Sequence, residues 1–143
     1  MCAKKSSGDA MDRHELMQRV QQLPFSPSDY WLVAGGAMVL HNLRPTTNDV
    51  DLGCTPSLAD QLEAQGCPTT RMPDGTRKIC YAPDVEIFEA WLYDRVVTVD
   101  GLPVISLPGL LQMKKAIGRE KDRQDIQLIE AYLSAHETQQ EVQ

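Results

Sequence analysis

Two aspartates, Asp49 and Asp51, open a short run that alternates polar and apolar through Leu52. On a strand, side chains at i and i+2 share a face about 7 Å apart, so both carboxylates can serve one hard cation. Magnesium binds through one or two carboxylates together with substrate phosphates, and an Asp-x-Asp strand therefore asks for a phosphate-bearing ligand. A seat for that ligand lies upstream at Gly35 and Gly36, which precede an apolar run, Ala37 to Leu43. Without side chains, a glycine turn lets backbone N–H groups approach an anion, and a helix start favours negative charge.

The elements that must position these residues can be read along the chain. Asp12 opens a helix carrying Leu16, Val20 and Leu23, stopped by Pro24. Tyr30 to Ala34 is nearly all apolar, the pattern of a strand buried on both faces. The glycine turn and a short buried helix, Ala37 to Leu43, follow. Residues 44–48 carry turn chemistry, and Asp49 to Leu52 is the half-buried strand. A helix with Ser57 as N-cap runs to Gln65 and stops at Gly66. Asp74-Gly75 and Asp100-Gly101 each join two strand-like runs as hairpins, with a strand from Asp84 to Trp91 between them. Ser106 and Pro108 open a helix that Gly118 closes or kinks, and a last helix covers about 120–134. His41, Trp31 and Trp91 fall in apolar contexts and read as core or rim residues. No repeat or interdomain linker interrupts the pattern.

Composition sets the limits. With 143 residues, 42% hydrophobic and 24% charged, the chain matches one globular domain. The boundaries expected are a disordered start over 1–11, a domain over 12–134 and a frayed tail over 135–143, which leaves no room for a separate acceptor domain. Twenty acidic residues against fourteen Lys and Arg give a net charge of −6, which argues against a broad nucleic-acid clamp but allows a local basic patch. No apolar stretch reaches the 18 or so residues that span a bilayer, and the first twelve residues lack an apolar leader, so no membrane partner and a cytoplasmic location are expected. Cys2, Cys54, Cys67 and Cys80 form no zinc-ligand spacing and are expected to be reduced thiols.

The order of apolar strand, Gly-Gly, short apolar helix, Arg44, Thr47 and Asp-x-Asp resembles the nucleotidyltransferase superfamily of polymerase-β type. The resemblance is to its small bacterial branch, the minimal nucleotidyltransferases and AbiEii-type toxin and antitoxin proteins. Residues 113–129, with Lys114, Arg119, Lys121, Asp122 and Asp125 ahead of an apolar helix, are similar to that branch's closing motif. The likeness spans roughly residues 30–133 and implies an α/β (α+β) nucleotidyltransferase fold, a mixed central sheet with flanking helices in one domain.

The same resemblance implies a third carboxylate on a neighbouring strand. Glu86 matches, flanked by Val85, Ile87 and Phe88, with Asp84 and Glu89 as rivals. Asp49, Asp51 and Glu86 then become the catalytic and metal-binding residues for two Mg²⁺ ions, or Mn²⁺. Gly35, Gly36, Arg44, Thr47, Lys114 and Arg119 become the nucleotide-binding set, with Lys121 beside them. Asp122 and Asp125 fit a structural role better, as surface partners of those cations. Two positions depart from the pattern, Ala37 where a serine is usual and Glu86 where aspartate is common.

The implied reaction transfers a nucleoside monophosphate from a nucleoside triphosphate to a hydroxyl of a partner protein, such as a cognate toxin or antitoxin, or of a tRNA. An antitoxin-like binding module with a degenerate site is the alternative, and an antibiotic nucleotidyltransferase a lower option.

Overall fold

Short β-rich runs separated by turn residues assemble into one mixed sheet in the computed structural model, which describes residues 10–141 and their side chains as far as 135. The strands are β1 (Tyr30–Val33), β2 (Val50–Cys54), β3 (Thr69–Arg71), β4 (Arg77–Ala82), β5 (Val85–Glu89), β6 (Val96–Val99) and β7 (Leu102–Ile105). Their spatial order is β3-β4-β5-β2-β1-β7-β6. β1 runs parallel to β7 and β2 parallel to β5, while the other neighbours are antiparallel. Among the described residues five helices flank the sheet: α1 (Arg13–Gln21), α2 (Ala34–Leu40), α3 (Pro56–Ala64), α4 (Leu107–Ile117) and α5 (Arg123–Glu141). The mixed sheet with flanking helices is thus the architecture of the chain.

Period-two alternation sorts the sheet into two faces. On one, Ile79, Ile87, Leu52, Leu32 and Val104 are successive register partners across five strands, and each is fully buried. α3 lies against this face, and Leu58, Ala59 and Leu62 enter the core. On the other, Cys80, Glu86, Asp51 and Val33 form one row and Lys78, Phe88, Gly53 and Trp31 the next. Gly53 is required there because a Cβ would stand 2.1 Å from the Trp31 indole nitrogen, which instead donates to the Trp91 carbonyl at 2.7 Å.

Both expected hairpins form. Gly75 (φ +89°), Asp100 (+49°) and Gly101 (+81°) take the left-handed conformations that tight turns require. α1 starts with a capping box between Asp12 and Glu15, and Gly118 (φ +68°) ends α4 by donating to the Lys114 carbonyl at 3.0 Å.

Other boundaries shift for identifiable reasons. α3 is capped by Thr55 rather than Ser57, because Pro56 suits the first helical position and leaves Ser57 inside. Ala34, at φ +54°, makes the sharp turn, so Gly35 and Gly36 lie within α2 rather than ahead of it. β2 begins at Val50 instead of Asp49, and β5 ends at Glu89, ahead of the left-handed Ala90. Residues 120–122 form a 3-10 turn before α5, which continues to Glu141.

The disorder expected over 1–11 lies outside the described residues up to 9, whereas Met11 is held in a β-bridge to Thr47. Residues 142–143 of the expected frayed tail also lie outside them. Cys54 and Cys67 are free, but Cys80 is disulfide-bonded, which corrects the expectation of four reduced thiols. Spacing along the chain carries no trace of a pairing that the fold makes. Burial, with Glu89 nearby, pushes the Cys54 thiol up to about 12 and suppresses its reactive thiolate. Among the described residues no helix is long and apolar enough to cross a membrane.

Candidate functional site

Asp51 and the Glu86 that the resemblance implies share one sheet face. β2 carries Asp51 directly opposite Glu86 of the parallel strand β5. Neighbouring strands run about 4.8 Å apart, so the two backbones hold adjacent carboxylates. Asp49 precedes Asp51 by two residues at the mouth of the strand. Val50 donates to the Asp84 carbonyl at 2.8 Å and fixes this end of β2 against β5.

A polar chamber of about 300 Å³ opens beside Asp49 and Asp51. Gly35, Arg44, Thr47, Lys114, Arg119 and Lys121 line it, together with Asp122 and Asp125. Its packing explains Gly35, since a Cβ there would fall 2.5 Å from Thr47 Oγ1 and 3.1 Å from Arg44 Nη1. Thr47 is pinned in turn, exchanging two backbone hydrogen bonds with Met11 at 2.8 and 3.0 Å and donating its hydroxyl to the Asp49 carbonyl at 3.2 Å. The loop that delivers Asp49 is therefore held at both its ends. Gly36 does not reach the chamber; its missing Cβ would meet Leu32 and Leu16. Ala37 is also fully buried in the core and does not line the chamber.

The closing motif forms a network of buried charge. Lys114 Nζ donates to Asp122 at 3.3 Å and to Asp125 at 3.2 Å, with all three side chains nearly enclosed. Arg119 donates to both oxygens of Asp122 at 2.7 and 3.2 Å, and Arg44 lies 3.7 Å from Asp125. Burial works to raise the Asp122 carboxyl, but the Arg119 bond and the Lys114 charge outweigh it and hold it below its ordinary value. Asp122 and Asp125 thus neutralise Lys114, while Arg44 and Arg119 keep roughly half of their side chains exposed at the chamber rim.

A second cavity, about 370 Å³, adjoins the first and shares Ala34, Asp51, Lys114 and Arg119 with it. Phe88, Trp91, Leu110 and Met113 make its walls apolar, and Phe88 stacks on Trp91 with ring centroids 4.1 Å apart. Glu86 lines this cavity alone, and its Oε2 lies 3.1 Å from Lys78 Nζ. Asp51 stands at the junction of a polar and an apolar-walled space.

The rival carboxylates are engaged elsewhere. Asp84 accepts from Arg19 at 2.8 and 3.0 Å, and Glu89, on the opposite face, is clasped by Arg77. The Arg77 bonds hold Glu89 below its ordinary value, as the Arg19 bond does Asp84. His41 is a rim residue bonded to the Ile105 carbonyl at 2.9 Å, and burial lowers its pKa.

As donors, Asp49, Asp51 and Glu86 offer only carboxylate oxygens, the chemistry that magnesium or manganese prefers. Among the described residues no group of three or more His, Cys, Asp or Glu side chains is gathered around a metal position, and Glu86 is turned to Lys78. Lys78 and the Phe88–Trp91 wall escaped notice in the sequence. Alternation within each strand places Lys78 and Glu86 on one face only once the β4–β5 register is known. Comparison with protein families, curated proteins and solved structures finds no match to this chain.

Proposed function

We propose that this chain is a magnesium-dependent nucleotidyltransferase, with the sheet and helices forming a nucleotidyltransferase fold. It would move a nucleoside monophosphate to a hydroxyl of a partner protein or tRNA, in the cytoplasm and in a toxin–antitoxin setting. The observation that carries the reading is the facing register of Asp51 and Glu86, with Asp49 two residues away, beside a chamber lined by cationic side chains.

In this reading Asp49 and Asp51 hold the divalent ion, which neutralises phosphate charge and polarises the phosphorus–oxygen bond. Arg44, Arg119 and Lys121 draw the triphosphate into the chamber, and Gly35 leaves the space in which Arg44 and Thr47 close up. The acceptor hydroxyl enters from the apolar-walled side and attacks the α-phosphorus. Its proton passes to Glu86, the bond from that phosphorus to the bridging oxygen breaks, and pyrophosphate leaves. Positioning and charge neutralisation supply most of the rate in such chemistry.

Isothermal titration tests the reading. Nucleoside triphosphate should bind only with Mg²⁺ or Mn²⁺ present, and Asp49→Ala combined with Asp51→Ala should abolish the heat. Binding indifferent to metal and to both substitutions sinks it.

The two departures from the family pattern, Ala37 and Glu86, favour a second reading, an antitoxin-like binding module without catalysis. Incubation with labelled nucleoside triphosphates and a candidate partner separates the two, since label transfer means an enzyme and a tight complex without transfer means a binder.

A further inference from the structure

We propose that Lys78 occupies the place of a second divalent ion at Glu86, so that the site takes one Mg²⁺ or Mn²⁺, at Asp49 and Asp51. The inference rests on the nucleotidyltransferase reading and changes the ion count that the family resemblance implies.

Register makes Lys78 a diagonal neighbour of Glu86. On β4 it faces Phe88, while Glu86 faces Cys80, and all four positions share the sheet face that carries Asp51. Diagonal cross-strand side chains are within reach of each other when one of them is long. The lysine spans that diagonal, with Nζ 3.1 Å from Glu86 Oε2.

The two ends of this pair differ in exposure. Glu86 is 7% exposed, flanked by the buried Val85, Ile87 and Phe88, whereas the Lys78 side chain is 40% exposed. A carboxylate in such a place keeps its charge only beside a cation or strong donors. The ammonium supplies that cation from the solvent side, at little desolvation cost to itself.

Lys78 is also held in place. Its Nζ lies 5.9 Å from the centre of the Phe88 ring, which is stacked on Trp91, whose carbonyl is fixed by the Trp31 indole. An ammonium over an aromatic face is attracted to it. A dication bridging Asp51 and Glu86 would have to expel this ammonium or lie against it, like charge beside like charge.

The test counts bound Mn²⁺ by electron paramagnetic resonance on the full chain with a non-hydrolysable nucleoside triphosphate analogue. The wild-type chain should bind one ion, Lys78→Met should bind two, and Lys78→Met with Glu86→Gln should return to one. Glu86→Gln alone should keep one ion with affinity within about threefold of wild type, because Glu86 holds the lysine and not the metal. Lys78→Gln, which keeps much of the stem and can hydrogen-bond, should also bind two and serves if the methionine variant fails to fold. Two ions in the wild type overturn this inference and leave the nucleotidyltransferase reading intact. No gain in either Lys78 variant overturns it as well. No Mn²⁺ bound by the wild type in the presence of the analogue overturns both.

Discussion

Two buried cations stand on opposite faces of the sheet, and they are held in different ways. Arg77 is saturated. It meets both oxygens of Glu89 at 3.0 and 2.7 Å, Glu63 at 3.0 Å, Asp60 at 2.8 Å and the Pro56 carbonyl at 3.4 Å. Lys114 has two partners at 3.2 and 3.3 Å, and both are shared, Asp122 with Arg119 and Asp125 with Arg44. Arg77 ties β4 and β5 to α3, and a planar guanidinium suits a bidentate clasp of that kind. Lys114 lines two cavities, and the arginines that share its carboxylates are half-exposed at a chamber holding Asp49 and Asp51. Saturated charge marks a structural joint here, and shared charge beside open space marks the candidate site.

Substitutions can break that contrast. The largest effect should come from Arg77→Ala, which strands the buried Glu89 and should cost about 3 kcal/mol in urea unfolding, the scale for breaking a buried pair. Metal-dependent nucleotide binding by the folded variant should be unchanged, and a weakened affinity would dissolve the distinction. Lys114→Met should cost about 2 kcal/mol, less because Arg119 and Arg44 remain beside the stranded aspartates. Unlike Arg77→Ala it should weaken nucleotide binding at least tenfold, read by titration calorimetry. If both variants lose stability alone, Lys114 is a joint like Arg77.

Asp49→Asn with Asp51→Asn should change stability by less than about 1 kcal/mol, since asparagine keeps the size and hydrogen-bonding capacity of each side chain. Metal-dependent nucleotide binding should fall at least tenfold, about 1.4 kcal/mol. A strong loss of stability with binding intact would place these aspartates in the framework.

The smallest effects should appear on acidification. His41, lowered from 6.5 by burial, disfavours protonation in the folded chain, so its contribution is complete above 6.5 and fades as pH falls below it. Asp84, Glu89 and Asp122 are held below their ordinary values, so their contributions persist down to about pH 4 and are lost as pH falls through the depressed values. Thermal melts should show a shallow loss beginning near pH 6.5 and a steeper one below about 4. A stability maximum between about pH 4 and 6 would contradict the His41 assignment, and one below about 4 would contradict the carboxylate assignments as well.

Much of this was legible one segment at a time. Asp74-Gly75 and Asp100-Gly101 announce their hairpins because few residues tolerate the left-handed turn, and Gly118 announces the end of α4 for the same reason. Glycine patterns were less reliable, since Ala34 makes the turn that Gly35 and Gly36 suggested. Gly35 serves a close approach of Thr47 and Arg44, and Gly36 a contact with Leu16 and Leu32, neither of which a glycine pair reveals by itself.

By itself the sequence determined the local facts. Alternation along a strand predicts Asp49 and Asp51 on one side, and both line the same chamber although β2 begins only at Val50, while the apolar runs around them had to be buried. Tertiary structure decided the offset between strands, and with it that Glu86 faces Asp51, that Lys78 reaches Glu86, and that Lys114 meets Asp122 and Asp125 instead of solvent. Alternation sets the side of a strand each residue occupies but leaves the neighbouring strand and its register open. A long charged side chain takes its partner from that register.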